Sequence, residues 1–346
     1  MSTRPRLTPA MADTRRAVRE LLRAQFPDAL NALTRMPGCA GGTGYDVPAD
    51  APLVLVALSG GADSLALAAA TAFEAQRCGL HAGAVIVDHQ LQAGSAEVAE
   101  RAAGVARRLG LAAVVIERVT VGGSEGPEAN ARAARYAAFE TTAHDTGASA
   151  VLLAHTRDDQ AETVLLGLTR GAGTSSIAGM TAVNGPYLRP FLDITREQTE
   201  QACADQGLEP WHDPHNSDRA YARVRIRHDV LPVLENELGP GIADALARTA
   251  SHLQDDAEVL DALAKQAWCE TWTDTGLATK LLAAQPRAIR TRIVKAAADR
   301  AGLGSLTSAH IDAIDLLMTN WHGQAPLDVP GGSVARRDDI LIFSAE

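Results

Sequence analysis

An alternation of apolar runs with helical segments, between Pro52 and His155, is the feature of this sequence that most constrains its fold. The apolar runs are LVLVAL, HAGAVIVD, AAVVIERV and SAVLLAH, and segments with helical spacing of apolar residues separate them. Continuous runs of Val, Ile and Leu separated by helices are typical of a parallel sheet that is covered on both faces. The sequence therefore predicts an α/β fold with a doubly wound parallel sheet, whose ligands bind at the carboxyl ends of the strands.

A glycine-rich loop joins the first predicted strand to its helix. The loop is the segment SGGADS, made of Ser59, Gly60, Gly61, Ala62, Asp63 and Ser64. Backbone N–H groups at a helix N-terminus bind anions, and glycines let the backbone approach a phosphate closely. Because a carboxylate beside a phosphate is repelled unless a cation lies between them, Asp63 is predicted to bind Mg²⁺. The alternative interpretation is a glycine turn that serves only strand–helix packing.

Several segments of the chain carry a resemblance to a known family. The SGGADS loop lacks the lysine of the Walker motif, which disfavours γ-phosphoryl transfer, and it matches the SGGxDS signature of PP-loop ATP pyrophosphatases. The further segments resemble those of tRNA(Ile)-lysidine synthetases, and they are VDHQLQAGS, RAARY, AHTRDDQAETVLLGLTRGAG, AGM, LRPFLDITREQ and HDPHNSDRAYARVRIR. The resemblance covers roughly Pro52–Pro232, about half of the chain. The block DDQAET and the basic run are more specific than the phosphate loop.

The resemblance implies an ATP-dependent C–N ligase that acts on a tRNA. Such enzymes use ATP to adenylate the wobble cytidine of a tRNA(Ile) with a CAU anticodon, and pyrophosphate is released. The ε-amine of free L-lysine then displaces AMP and forms lysidine, which changes the codon read from AUG to AUA. Adenylation turns a poor leaving group into a good one, so the protein mainly has to position its substrates and stabilise charge.

Side chains at the ends of the predicted strands are the candidate site residues. The resemblance and the strand-end rule together imply that ATP is bound by the loop Ser59–Ser64 and by Asp88, His89, Arg132, Arg135 and His155. The implied catalytic residues are Asp63, Asp158, Asp159 and Glu162, with Asp63 as the metal ligand.

Other interpretations of these residues remain open from the sequence alone. Asp88 can cap the next helix, the arginine pair can form a surface ion pair, and the acidic residues can be a solvated first turn of a helix. In the site interpretation, Asp159 and Glu162 share one helix face with His155 if the helix already runs there. Closely spaced acidic groups are costly unless cations neutralise them, so they are expected to bind the lysine ammonium or Mg²⁺, and a carboxylate can act as the base.

Nucleic-acid binding requires local basic patches here, because the formal net charge of the whole chain is −10. The segment RAYARVRIRH supplies such a patch, and its predicted tRNA-binding residues are Arg219, Tyr221, Arg223, Arg225 and Arg227. If this segment is extended, its last three arginines lie on one face. A second basic segment, PRAIRTRIVKAAADR, is equally explained by an exposed helix face.

Three positions depart from the family pattern. The family has two adjacent histidines where this chain has His155-Thr156, it has Ser where this chain has His215, and it has Asn inside the basic run where this chain has Val224. None of these positions lies in the phosphate loop. His212, Asp213 and His215 also have ligand-like spacing, but Asn, Asp and Pro in this loop are more typical of turns.

The sequence predicts that the chain is divided into three segments. Residues 1–50 are predicted as an N-terminal extension with a helix, residues 51–236 as the PP-loop ATPase domain, and residues 242–346 as a helical tRNA-binding domain. Helices are expected at Ile242–Cys269 and Pro286–Ala301, and a terminal β-hairpin is expected around Pro330–Gly332. The tRNA-binding role of the last domain is implied by the resemblance alone.

The cysteines and the hydropathy exclude other classes of protein. The four cysteines are isolated and form no CxxC pair, which favours a cytoplasmic protein without disulfides or a zinc site. No signal peptide or membrane span is predicted. The alternatives are a tRNA thiolase, an amidating ligase, or a nucleotide-binding module without catalysis. The lack of a CxxC weighs against the first, and the basic run weighs against the second.

Overall fold

The computed structural model describes residues 7–35, 45–90, 92, 94–122, 126–170 and 173–346, and it groups them into two compact units. Unit 1 comprises Met1–Leu165 with Met180–Ala247, and unit 2 comprises Leu166–Gly179 with Arg248–Glu346. The side chains of six residues lie outside the description, and they are Thr34, Arg35, Pro127, Ser175, His215 and Ser217. His215, which departs from the family pattern, therefore has no described side chain.

Unit 1 is built on a six-stranded sheet that is mostly parallel. Its strands are β1 (Leu53–Ala57), β2 (His81–Asp88), β3 (Ala113–Arg118), β4 (Ala148–Leu152), β5 (Val183–Asn184) and β6 (Tyr187–Leu188). The strand order is β3-β2-β1-β4-β6-β5, and only the β5–β6 pair is antiparallel. The order reverses between β1 and β4, so a crevice opens at the carboxyl end of β1, as expected for a doubly wound sheet.

Helices cover both faces of this sheet. They are α1 (Pro9–Gln25), α2 (Ala62–Glu74), α3 (Ser95–Arg108), α4 (Pro127–Thr146), α5 (Arg157–Thr169), α6 (Arg196–Asp205) and α7 (Leu231–Leu238). Shorter elements of this unit are helices Pro27–Asn31 and Ala222–Arg225, the 3₁₀ turns Gln76–Cys78 and Pro214–Ser217, the π-turn Ile226–Val230, and a strand pair Thr34–Arg35 with Tyr45–Asp46. The phosphate loop is the connection from β1 to α2.

The alternation of side chains along each strand builds two cores. Val54 and Val56 pack with α1 and α2 on one face, whereas Leu55 and Val85 pack with Phe139 of α4 on the other. All five residues are buried. The α/β prediction of a sheet covered on both faces is therefore confirmed, and the continuous apolar runs are explained because both sets of alternating residues are buried.

Helix α1 belongs to unit 1 and packs on α2 and α6. Thr8 caps its N-terminus by accepting a hydrogen bond from the Met11 N–H, and Pro9 occupies its first turn. Met11, Val18 and Leu22 are fully buried against the rest of the unit. The segment predicted as an N-terminal extension thus supplies a helix to the core of unit 1.

Unit 2 combines helices with an antiparallel sheet. The helices are Thr174–Ile177, most of α8 (Ile242–Thr271), Thr279–Ala283, α9 (Arg287–Arg300) and α10 (Ser308–Thr319). The strands are β7 (Trp272–Thr273), β8 (Gly276–Ala278), β9 (Leu327–Val329), β10 (Gly332–Arg337) and β11 (Ile340–Ala345), in the order β9-β10-β11-β8-β7. The expected hairpin forms between β9 and β10, and it is extended to five strands. Strands β7 and β8 are too short to give an alternation signal in the sequence.

Among the described residues, no helix is long and apolar enough to cross a membrane.

Candidate active site

The phosphate loop presents the uncapped N-terminus of α2. Gly60 has a φ of +88°, which an L side chain rarely adopts, and its carbonyl accepts a hydrogen bond from the Trp211 N–H at 2.9 Å. Ser64 Oγ donates to the Gly61 carbonyl at 2.9 Å and fixes the turn. Within the described part of the chain, no side chain caps the first turn of α2. The free N–H groups of that turn are therefore available to an anion.

A cleft of about 1060 Å³ opens beside this loop, at the carboxyl ends of β1, β2 and β4. It brings together most of the residues predicted from the sequence, and these are Ser59, Gly61, Ala62, Asp63, Ser64, Asp88, His89, Arg132, Arg135, His155, Asp159 and Arg227. The predicted residues outside its lining are Gly60, Asp158, Glu162, Arg219, Tyr221, Arg223 and Arg225. The volume suits a nucleotide together with a small second substrate.

Asp88 and His89 stand at the end of β2, where the strand-end rule places them. Asp88 is 3% exposed, and its carboxylate accepts the Gln90 N–H at 3.0 Å, so it closes the turn after the strand. Burial and the charge of Arg135 lower the pKa of His89, so the imidazole is neutral. Its buried Nδ1 has no hydrogen-bond partner within the described residues. A polar atom of this kind, facing a cleft, is ready to bond a ligand.

Arg132 and Arg135 project from α4 into the cleft. Arg132 donates to the Tyr136 hydroxyl at 3.1 Å, and its guanidinium lies over the Tyr136 ring. Burial and the charge of Arg132 lower the pKa of Arg135. Neither arginine forms a salt bridge with a described carboxylate. Two guanidinium groups without a carboxylate partner, in the same cleft as a phosphate loop, favour a polyphosphate ligand.

Glu162 lies at the centre of a network of charged side chains. It is fully buried, and Arg227 binds it in a bidentate manner, with nitrogen–oxygen distances of 2.7 and 3.1 Å. Arg196 approaches the same carboxylate at 3.6 Å and also binds Asp159 at 3.0 Å. The second carboxylate oxygen of Asp159 accepts the Thr156 N–H at 2.8 Å. Burial raises the pKa of Asp159, but the charge of Arg196 and the hydrogen bond from Thr156 lower it by more. The net pKa is below its usual value, so this carboxylate is ionised.

Asp63 connects this network to the phosphate loop. Its carboxylate accepts a hydrogen bond from the Thr199 hydroxyl and lies 3.9 Å from Arg196 Nε. Burial raises the pKa of Asp63 to about 6, against the lowering effects of Thr199 and Arg196. A desolvated carboxylate that is only partly compensated gains from a further cation.

The donor set around Asp63 fits Mg²⁺ that arrives with a nucleotide. No cluster of three or more His, Cys, Asp or Glu side chains able to hold a metal ion occurs among the described residues. Mg²⁺ needs no such cluster when phosphates supply ligands, because one or two carboxylates complete its shell.

The basic segment RAYARVRIRH is mostly helical and not extended. It is helical over Ala222–Arg225 and continues in the π-turn, so the alternating face expected for an extended chain does not form. Ala and Arg favour helix, which explains the difference. Arg225 donates to the carbonyls of Arg219 and Ala220, both at 2.8 Å.

The other residues of this segment are placed by separate contacts. Arg223 donates to Thr163 Oγ1 at 3.3 Å, and Arg219 pairs with Asp229 at 3.1 Å. Val224, at a position that departs from the family pattern, is buried. Arg227 alone points into the acidic network.

Two other predicted residues have positions that the sequence left open. Helix α5 begins at Arg157, so His155 precedes it and does not share a helix face with Asp159 and Glu162. Asp158 accepts the Arg196 N–H at 2.8 Å and thereby helps to start α6.

Three residues at this site were not predicted from the sequence, and they are Arg196, Thr199 and Trp211. The sequence ITREQ does contain a pattern that predicts the start of α6, because Thr195 and Gln198 can form a capping box. The start of α6 in turn positions the side chains of Arg196 and Thr199. No local pattern marks Trp211, whose backbone N–H bonds the loop at Gly60, 151 positions earlier in the chain.

The ionisation of His155 gives a testable consequence for stability. Burial lowers the pKa of His155 to about 4, outweighing the opposing charge of Asp159, whereas an unfolded histidine titrates at 6.5. Between these values the unfolded chain binds more protons, so the contribution of His155 to stability is complete above pH 6.5 and is lost as the pH falls towards 4. We expect wild type to lose about 2 kcal/mol more than His155→Gln between pH 7 and pH 5. Urea unfolding of both proteins measures this, and equal losses would contradict a buried neutral imidazole.

Comparison with known proteins gives matches in both units of the chain. Residues 44–234 match the model of the PP-loop domain, and residues 277–342 match that of the TilS substrate binding domain. The chain is 55% identical over 296 residues to a tRNA(Ile)-lysidine synthase of Leifsonia xyli, covering 84% of this chain and 89% of that protein. It is 56% identical over 305 residues to one of Thermobifida fusca, covering 87% of this chain and 94% of that protein.

A solved structure shares the fold at low sequence identity. It is a U34-tRNA thiolase from Methanococcus maripaludis with its [4Fe-4S] cluster, with a TM-score of 0.54 and 17% identity. The alignment covers 71% of this chain and 80% of that chain.

Proposed function

The chain belongs to the tRNA(Ile)-lysidine synthase family, and from this membership we propose that it ligates L-lysine to the wobble cytidine of a CAU-anticodon tRNA(Ile), using ATP. ATP adenylates the base and releases pyrophosphate, and lysine then displaces AMP. The observation that carries the proposal is the uncapped helix N-terminus of the phosphate loop, which opens into the same cleft as a buried acidic network. The isolated thiols of Cys78, Cys203 and Cys269 support a cytoplasmic location.

Two sets of groups in the cleft bind ATP in this proposal. The N–H groups at the start of α2 bind the phosphates to be released, and Arg132 and Arg135 neutralise charge as pyrophosphate leaves. Asp63 is the residue that would hold Mg²⁺, which supplies charge neutralisation between the phosphates and the protein. His89 and His155 remain neutral and offer uncharged hydrogen-bonding atoms, because burial lowers the pKa of both.

Lysine is bound by the acidic network. With Asp63 assigned to Mg²⁺, the carboxylates of Asp159 and Glu162 balance the guanidinium groups of Arg196 and Arg227. Asp159 lines the cleft and Glu162 does not, so the proposed contact of the lysine ammonium is the Asp159 carboxylate. Because the pKa of Asp159 is below its usual value, that carboxylate is a poor base, and its proposed role is to bind lysine.

The tRNA is bound by basic residues beyond the cleft. We assign Arg219, Tyr221, Arg223 and Arg225 to the anticodon region, since they precede Arg227 in the chain and lie outside the cleft lining. The match of residues 277–342 to a substrate binding domain supports a tRNA-binding role for residues 242–346. Arg227 also belongs to the residues predicted to bind tRNA, and its salt bridges with Glu162 and Asp159 make that role separately testable.

Pyrophosphate release tests the proposed reaction. Purified protein is given ATP and Mg²⁺ with lysine and an unmodified CAU-anticodon tRNA(Ile), together and separately. We expect release to require the tRNA and radiolabelled lysine to enter that tRNA when all substrates are present. A tRNA(Ile) transcript with a GAU anticodon is the matched control and should accept no lysine. Release without tRNA would indicate a small-molecule ligase, and no release in any mixture would indicate a nucleotide-binding module; either result would contradict the proposal.

A further inference from the structure

A cluster of arginines lies on unit 1 at the end of α2 remote from the phosphate loop. Arg15, Arg19 and Arg23 follow one another at intervals of four residues on α1, so they form a row along the helix. Arg77, in the 3₁₀ turn after α2, joins the same cluster. We call these four residues the arginine stripe. Helix α2 has 13 residues, so about 20 Å separates the stripe from the phosphate loop.

Aromatic stacking holds two of these guanidinium groups in place. The guanidinium carbons of Arg15 and Arg77 each lie 3.6 Å from the centre of the Phe73 ring. Two guanidinium groups cannot share one face of a ring at that distance, so they lie on opposite faces. Arg77 also donates to the Phe73 carbonyl. These guanidinium groups are therefore ordered before any ligand binds, which lowers the entropy cost of binding a phosphate.

The positive charge of the stripe is only partly compensated. Its carboxylate partner is Glu74, which is 1% exposed and pairs with Arg19 at 3.3 Å. Burial raises the pKa of Glu74, while the charges of Arg19, Arg77, Arg15 and Arg23 lower it, so all four arginines act on one carboxylate. Four cations around one anion leave an excess of three positive charges on a chain whose formal net charge is −10. Such a concentration of like charge is unfavourable unless an anion binds it.

We propose that the arginine stripe binds backbone phosphates of the tRNA substrate, as a second contact remote from the nucleotide cleft. This inference rests on the proposed function only for the identity of the RNA. Stacked guanidinium groups suit phosphate oxygens, which they can bind in a bidentate manner. A row of cations along a helix suits a polyanion with regularly repeated charges rather than a single ion. Because α1 lies before residue 44, the stripe is outside the matched PP-loop domain except for Arg77.

Salt-dependent binding of a CAU-anticodon tRNA(Ile) transcript tests this inference. The test variant is Arg15→Gln/Arg23→Gln, and the matched control is Arg16→Gln, because Arg16 is an exposed residue of the same helix whose charge Asp13 already pairs at 2.6 Å. We expect the test variant to bind the transcript about tenfold more weakly at low salt and to reduce the slope of log Kd against log salt by about two. The control should match wild type. The variant Arg15→Lys/Arg23→Lys should recover most of the slope.

Further measurements distinguish a loss of RNA binding from unfolding of the variant and from failure of the proposed function. Thermal unfolding verifies that each variant is folded, and Arg23→Gln alone, which removes an exposed side chain, should still reduce the slope by about one. In the lysidine assay the test variant should have a higher KM for tRNA and an unchanged KM for ATP. If wild type forms lysidine and the variant keeps the full slope, the stripe does not bind RNA, although the proposed function stands. A variant that keeps the full slope but loses binding of inorganic tripolyphosphate would assign the stripe to small polyanions and would overturn the inference.

Discussion

Replacing Asp63 with Asn is expected to abolish adenylation while making the ligand-free protein more stable. The carboxylate is the residue that would hold Mg²⁺ beside the phosphates, so pyrophosphate release should fall by at least about 100-fold. Its ionisation is unfavourable in the folded protein, because burial raises its pKa to about 6 from the usual value of 3.8. A difference of about two units between the folded and unfolded pKa values means that the ionised carboxylate costs about 3 kcal/mol of unfolding free energy at pH 7. The asparagine also weakens the contacts with Thr199 and Arg196, so a net gain of about 1–2 kcal/mol in unfolding free energy remains.

The sign of this stability change depends on pH. The folded protein retains the Asp63 proton up to about pH 6, whereas the unfolded chain releases it near 3.8, so the unfolding free energy of wild type falls as the pH rises between these values. Urea unfolding at pH 4 and pH 7 should therefore show the advantage of Asp63→Asn at pH 7 only. Asp193→Asn, the same change at an exposed carboxylate, is the control and should alter neither stability nor activity.

Ligand binding gives an independent readout of the same residue. ATP with Mg²⁺ should raise the melting temperature of wild type more than that of Asp63→Asn, because a ligand stabilises a protein in proportion to its affinity for the folded state. A variant with normal pyrophosphate release, or with wild-type stabilisation by ATP and Mg²⁺, would exclude Asp63 as a metal ligand.

The sequence predicted those parts of the molecule that depend on local patterns. The apolar runs gave the sheet because β1 and β2 bury side chains on both faces, and SGGADS gave the loop because a turn with positive φ at Gly60 needs glycine. The partners of charged side chains could not be predicted in this way. Arg227 and Glu162 are 65 positions apart in the chain, and Arg196 of α6 contacts both Asp159 and Glu162. No local pattern in the sequence links such distant residues, so these pairs are seen only in the folded chain. Short strands such as β7 carry too few residues for a pattern.

Removing Arg227 is expected to destabilise the protein more than removing any of the other arginines predicted to bind tRNA. Glu162 is fully buried, and without its bidentate partner the one cation that remains beside it among the described residues is Arg196, at 3.6 Å. Breaking a buried ion pair from one side leaves an uncompensated charge and typically costs about 3–5 kcal/mol. Although burial lowers the pKa of Arg227, its hydrogen bond with Glu162 and the charge of that carboxylate raise the pKa above its usual value, so Arg227 is charged. We expect Arg227→Gln to lower the unfolding free energy by about 3 kcal/mol or more.

A double-mutant cycle separates this structural role from tRNA binding. The double variant Arg227→Gln/Glu162→Gln removes both charges, so it should recover part of the lost stability, with a coupling energy of about 1.5–3 kcal/mol. Arg223→Gln is the matched control, because that arginine contacts the neutral Thr163 hydroxyl, and it should cost less than about 1 kcal/mol. If Arg227→Gln were as stable as wild type and reduced the salt slope of tRNA binding by about one, Arg227 would contact a phosphate and its pairing with Glu162 would be incidental. A large loss of stability with an unchanged slope would instead make Arg227 the residue that neutralises Glu162 and positions Asp159 for lysine.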